Sequence, residues 1–198
     1  MNIRLHSCLA LLLTMTACSG SPDNRYYTLS VESVPTSTVT AIRTGRGAYA
    51  IDAVVIPDVL DRPQIVLRSG ANAVEVLDYD RWAGSLPDQL QRVFAADLSA
   101  RLGVGAIADP GLPSAPQAGR IAISILAFSP ERHGESVIEA SWAISEKGSG
   151  PAGGITKTHR ARHIAANKGS DVPALVATMS DAVAMIADDI AMSLASED

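Results

Sequence analysis

Both cysteines of this 198-residue chain, Cys8 and Cys18, lie within the first eighteen positions. No disulfide framework and no Cys-x-x-Cys metal or redox site can then exist in the remainder, so an apolar core must hold the fold unaided. Composition permits this, because 47% of residues are hydrophobic and 19% charged, which is globular rather than disordered or mucin-like. The formal charge is −5, with 16 basic against 21 acidic residues. Such a balance lacks the cationic footprint that a phosphate backbone requires, and nucleic acid is not an expected partner. One domain is expected.

The amino terminus reads as an export signal. Arg4 is followed by a mostly apolar stretch over 5–15, shorter than the roughly 20 apolar residues that a helix needs to cross a bilayer. The stretch ends in Met15-Thr16-Ala17-Cys18, which resembles a bacterial lipobox, with Met15 where Leu is usual. Residues 1–17 are therefore expected to be removed as a lipoprotein signal peptide and Cys18 to be acylated. Three acyl chains exceed the single chain that gives only reversible attachment. Arg4 leaves with the signal and no acid does, so the mature chain has 15 basic against 21 acidic residues, or −6. Ser19 rather than Asp follows the lipidated position, and bacterial lipoprotein sorting then implies the outer membrane, facing the periplasm. Residues 18–25 are expected to be the lipidated cysteine and a flexible tether, and residues 26–198 the folded domain.

Aromatic and β-branched residues predict a first strand over 26–31, and a long surface connection follows over 32–47. Strand character returns at 48–56, breaks at Pro57-Asp58, and resumes at 64–68 and 73–79 around Ser69-Gly70-Ala71-Asn72, which predicts a β-hairpin. Ser85 with Asp88 three positions on predicts a helix start, with Pro87 tolerated in the first turn. Leu86, Leu90, Val93, Phe94, Leu98 and Leu102 form its apolar stripe, and Gly103 and Gly105 stop it. A proline-rich loop is expected over 108–119. Strands follow over 120–128, with Ile121, Ile123 and Ile125 on one face and Ala122, Ser124, Leu126 and Phe128 on the other, over 137–145, and over 155–164. Turns join them over 129–135 and 146–154. A last helix is expected from about Asp171 to Leu194, its stripe running from Val172 to Leu194 through Val183 and Ile190. These elements predict one α/β domain in which a β-sheet packs with two long helices.

Several motifs resemble catalytic or cofactor sites in the wrong context. Gly103-Val104-Gly105-Ala106-Ile107-Ala108 matches a dinucleotide fingerprint, but it follows a helix, whereas the pyrophosphate needs a strand-to-helix turn. His159 and His163 would share a strand face about 13 Å apart, beyond the reach of one metal ion. Flanked by Arg160 and Arg162, they read as a solvated edge strand whose charges discourage edge-to-edge pairing. There is no Gly-x-Ser-x-Gly elbow and no phosphate-binding P-loop. Asp58, Asp61, Asp78 and Asp80 cluster near predicted strand ends, where turn formation is the commoner use of Asp. No cofactor, metal or catalytic residue is expected.

Three strings remain: Tyr26-Tyr27-Thr28-Leu29, the run from Ile56 to Val66 that contains Leu60-Asp61-Arg62-Pro63-Gln64, and Arg81-Trp82-Ala83. In order and spacing the chain resembles the PqiC/YmbA family of ABC-type transport auxiliary lipoproteins over most of residues 26–194. The resemblance implies an anticodon-binding-domain-like α/β fold with a mixed β-sheet, and an outer-membrane lipoprotein of an MCE-type intermembrane lipid transport system that preserves envelope integrity. It implies an MCE-domain protein and an inner-membrane transporter permease as partners, membrane attachment through the lipid anchor, and a ring-like homo-oligomer in some members. Leu60, Asp61, Arg62, Pro63, Gln64, Arg81 and Trp82 match the family motifs and are the candidate partner interface. Pro63 favours extended backbone before the hairpin. Asp61 and Arg62 would order the loop or offer charge to a partner, and Trp82 near the helix start serves as core or as partner anchor.

Two other functions share these features. A structural lipoprotein for outer-membrane assembly or secretion would have the same anchor and fold. A periplasmic hydrolase would need a site assembled in space from His133, His159 or His163.

Overall fold

The computed structural model describes residues 22–31, 49–103, 105–110, 119–145 and 157–196. The expected connections over 32–47 and 146–154, and most of that over 108–119, lie outside them, as do Cys18 and the signal peptide. Among these residues, seven strands and two helices follow in chain order. They are β1 Arg25–Tyr27, β2 Tyr49–Ile51, β3 Gln64–Gly70, β4 Ala73–Trp82, α1 Leu86–Leu102, β5 Gly119–Ser129, β6 Glu135–Ser145, β7 Lys157–Ala166 and α2 Val172–Ala195. No described helix is long and apolar enough to cross a membrane.

The strands divide between two sheets, ordered β1-β4-β3 and β2-β5-β6-β7. Each is mixed, because β1 joins β4 and β2 joins β5 in parallel while the other pairs are antiparallel. The predicted hairpin forms, with its turn at Ala71-Asn72 and with β4 continuing to Trp82. Both helices start as their sequences predict. The Ser85 hydroxyl accepts from the Asp88 amide at 3.5 Å, and the Asp171 carboxylate accepts from the Ala174 amide at 3.2 Å. Gly103 ends α1 at φ +100°, a conformation that side chains disfavour.

Helix α2 packs on β6 and β7 and against α1. Its stripe of Val172, Leu175, Val176, Met179, Val183, Ile186, Ile190 and Leu194 is buried with Phe94, Leu98, Ile123 and Ile138 in one core. Arg101 joins the two helices, its guanidinium reaching Asp188 at 2.5 Å, the Ala184 carbonyl at 3.2 Å and the buried Asp97 carboxylate at 3.7 Å.

Three expectations for β1, β2 and β5 change, each for a packing reason. Strand β1 stops at Tyr27 rather than residue 31, because the Leu29 amide donates to the Gln89 side chain at 3.0 Å and the Ser30 amide to the Ser180 hydroxyl at 3.1 Å. Backbone donors satisfied by helix side chains need no strand partner. The strand expected over 48–56 likewise shortens to β2, whose Ile51 carbonyl, with that of Asp52, accepts from Gln91 on α1 at 3.0 and 3.3 Å. Phe128 lies on the isoleucine face of β5, not opposite it. A register shift between Ile125 and Ala127 pairs Phe128 with buried Ile138, as Ile123 pairs with Trp142. The extra residue of a bulge flips every later side chain on its strand.

The histidine-bearing face of β7 is also covered rather than solvated. His159, Ala161, His163 and Ala165 are half-buried while Arg160 and Arg162 are exposed. His159 stacks on Trp142 with ring centroids 5.6 Å apart, and His163 Nε2 lies 2.6 Å from Asp189 on α2. Edge position is retained, since β7 ends its sheet among the described residues.

Candidate functional site

The run from Ile56 to Gln64 is ordered by its own backbone before β3 begins. The Leu60 amide donates to the Pro57 carbonyl at 2.8 Å, Asp61 to Asp58 at 3.2 Å and Arg62 to Leu60 at 2.8 Å. Consecutive turns of this kind give a loop a fixed shape without neighbouring side chains. The Pro63 carbonyl then accepts from the Trp82 amide at 2.7 Å, and Gln64 registers with Arg81. The two motif strings, far apart in sequence, are thereby brought together at one end of the hairpin.

Their side chains divide by burial. Leu60 and Trp82 are core. Trp82 stands at the end of β4, not on the helix start, with Tyr27 beside it in register and the Ala83 amide donating to the Tyr27 carbonyl at 2.8 Å. An indole buried there cannot anchor a partner without being pulled from the core. Asp61, Arg62 and Pro63 are exposed, while Gln64 and Arg81 are half-buried. Asp58, Asp61 and Arg62 form no ion pair among the described residues, and the Arg81 guanidinium reaches only the Asp78 carbonyl, at 3.4 Å.

The inner side of the same loop forms one wall of an apolar groove of about 130 Å³. Pro57, Val59 and Leu60 face Val66 and Val74 of the hairpin and Leu126 of β5 across it. Arg68 lines its rim and pairs with Glu131. No residue pattern in the sequence marks this groove, because it is formed where the two sheets meet.

Asp80 is a second feature that sequence reading missed by placing it among turn-forming carboxylates. It is buried and accepts from Arg25 Nε and Nη2 at 2.8 and 2.7 Å and from the Tyr27 hydroxyl at 2.8 Å. Burial by itself pushes the Asp80 carboxyl up, but hydrogen bonds from Arg25 and Tyr27 and the Arg25 and Arg132 charges outweigh it and hold the group below its ordinary value. Burial, then the bond to Asp80, raises the Tyr27 phenol. This clasp joins β1 to the hairpin.

His163 and Asp189 form a histidine–carboxylate pair, but among the described residues no serine hydroxyl is hydrogen-bonded to His133, His159 or His163, and no group of three metal-ligating side chains occurs. Gly103 and Gly105 follow a helix C-terminus, away from any anion-binding helix start.

Two solved structures share the fold. An uncharacterized protein superimposes with a TM-score of 0.70 at 17% identity, covering 87% of this chain and 99% of the other. A Xanthomonas campestris protein of the DUF330 family gives a TM-score of 0.69 at 15% identity, covering 86% and 95%. In sequence, the chain is 24% identical over 140 residues to the intermembrane transport lipoprotein PqiC of Escherichia coli strain K12, covering 71% of this chain and 73% of that protein. The Shigella flexneri protein of the same name matches equally. Residues 27–191 match the model of one family, so this chain is a member of the ABC-type transport auxiliary lipoprotein components.

Proposed function

We propose that this chain is the lipid-anchored auxiliary subunit of an intermembrane lipid transport system. Acylated Cys18 moors it in the outer membrane facing the periplasm, and the domain docks an MCE-domain conduit served by an inner-membrane transporter permease. The observation that carries this reading is the family match over residues 27–191, and the similarity to an intermembrane transport lipoprotein supports it. The role needs no catalysis, only a rigid surface held at a membrane.

The docking surface in this reading is the outer side of the 58–64 loop. Asp61 and Arg62 are exposed without an ion-pair partner among the described residues, so they are free to meet complementary charge, and their turns hold them in place beforehand. Pro63, Gln64 and Arg81 flank them, while Leu60 and Trp82 support the loop from beneath.

Purification of the full chain from native membranes in detergent tests the reading. Wild type carries acyl chains on Cys18 and recovers an MCE-domain protein. Cys18→Ser carries no acyl chains and keeps residues 1–17 by intact mass, and the double charge reversal Asp61→Arg/Arg62→Glu loses the partner while retaining the anchor. Unchanged envelope permeability after gene deletion, together with no MCE-domain protein in the eluate, refutes it. Recovery of an assembly or secretion machine instead assigns the chain to that process.

A further inference from the structure

We infer that the outer edge of β7 is a docking strand for an acidic, extended segment of a partner protein, which pairs with it backbone to backbone and lengthens the β2-β5-β6-β7 sheet by one strand. The inference stands on β7 and its neighbours and depends neither on the lipid anchor nor on the 58–64 loop.

The backbone supplies the template. Strand β7 pairs with β6 over all ten residues, from Lys157 opposite Ile144 to Ala166 opposite Glu135, without a register shift. No strand lies on its other side among the described residues. Bonded and non-bonded pairs alternate along an antiparallel ladder, so every second residue of β7 turns its amide and carbonyl away from β6. An edge of this length, free of proline and bulge, is the kind to which a further strand adds. The other outer strands offer less, since β1 and β2 have three residues each and the Arg68 amide of β3 already donates to the Pro130 carbonyl at 2.9 Å.

Charge selects the occupant. Residues 157–166 hold Lys157, Arg160 and Arg162 and no acid, in a chain whose net charge is −5. Arg160 Nε donates to Glu139 of β6 at 2.7 Å. Arg162 is in register with the same Glu139, yet neither it nor Lys157 forms an ion pair among the described residues. One carboxylate thus faces two guanidiniums, and a positive charge is left over on an otherwise acidic domain. Opposite charges across a ladder stabilise and like charges destabilise. A strand bringing Asp or Glu beside Arg160 and Arg162 is therefore favoured, and a second copy of β7, which brings only cations to cations, is excluded.

The flanks add apolar contact. Ile164, on the face of Arg162, is 47% exposed. On the opposite face His163 meets Asp189 of α2 at 2.6 Å. Met192 follows Asp189 by three residues, hence on the same side of the helix, and is 58% exposed. A segment that alternates acidic with apolar residues matches both faces, its acids beside the arginines and its apolar side chains beside Met192.

Hydrogen exchange of the full chain in detergent micelles, resolved to single amides, provides the test. The probes are two ten-residue peptides, one alternating Glu with Val and one alternating Lys with Val. The Glu/Val peptide is expected to slow exchange of alternate amides over 157–166, with an apparent affinity about fivefold or more above that of the Lys/Val peptide. Arg160→Gln/Arg162→Gln, its fold checked by circular dichroism, is expected to erase that difference. A fully N-methylated Glu/Val peptide, which keeps the charge but cannot donate to a ladder, is expected to have no effect.

No slowing over 157–166 with the Glu/Val peptide, or equal affinity for both peptides, overturns the inference without needing any variant. A preference that survives in the glutamine variant, or protection by the N-methylated peptide, does the same. If all ten amides are slow before a peptide is added, the edge is already filled, by a second copy where the slowing follows protein concentration and by the chain itself where it does not, and the inference falls.

Discussion

Replacing Asp80 with Asn tests the clasp that ties β1 to the hairpin. The carboxylate, 7% exposed, accepts two charge-assisted bonds from Arg25 at 2.8 and 2.7 Å and one from Tyr27 at 2.8 Å. Asn keeps the shape and one acceptor, so the Tyr27 bond survives in weakened form, but the negative charge is gone. Hydrogen bonds to charged groups contribute about 1.5–3 kcal/mol each. Arg25 is 64% exposed, so water compensates it and the two bonds do not add in full. The expected loss at pH 7 is therefore about 1.5–3 kcal/mol in total, or about 3–12 °C in Tm for a domain of this size.

The pH dependence gives the sharper test. Asp80 is held below its ordinary value in the folded state, so the stability it contributes is fully present above the unfolded value near 3.9 and is lost as pH falls through the lower folded value. The difference between wild type and Asp80→Asn should thus be constant from neutral pH down to about 4 and shrink below it. Denaturant titrations of both proteins across that range measure it, and the comparison cancels the contribution of every other carboxylate. A variant as stable as wild type at pH 7, or a gap that survives unchanged well below the ordinary Asp value, refutes the clasp.

Three further outcomes follow from packing. Arg101→Met removes the cation beside the fully buried Asp97 and should cost about 3–5 kcal/mol in denaturant unfolding. Phe128→Ala should cost about 3–5 kcal/mol, whereas Leu126→Ala stays within about 0.5 kcal/mol; equal losses would mean that the β5 bulge does not exist. A Cβ at Gly119 would lie 2.5 Å from Tyr49 Cε1 and 3.1 Å from the Ser145 carbonyl, so Gly119→Ala should lower stability by about 1–3 kcal/mol and shift the tyrosine near-ultraviolet dichroism.

Local periodicity located the hairpin, both long helices and the three later strands, because each is an amphipathic or alternating segment whose pattern is written in neighbouring residues. Strand ends were less legible. Nothing near Leu29 and Ser30 in the sequence announces that Gln89 and Ser180 will take their amides, and only chain folding brings those groups together. Phe128 fails for a related reason, since alternation is read correctly up to Ile125 and a single inserted residue reverses it afterwards.

The motif strings show the same division. Sequence marked Leu60 to Gln64 and Arg81-Trp82 as distinctive, and the placement of Cys8 and Cys18 by itself required a fold without covalent staples. Whether a marked residue is surface or support was decided in three dimensions, where Trp82 and Leu60 went into the core and Asp61 and Arg62 remained outside. Tertiary structure alone produced the Asp80 clasp and the groove among Val59, Val74 and Leu126. Periodicity is a property of one segment, whereas burial, ion pairing and concavity depend on distances between segments that the chain order does not contain.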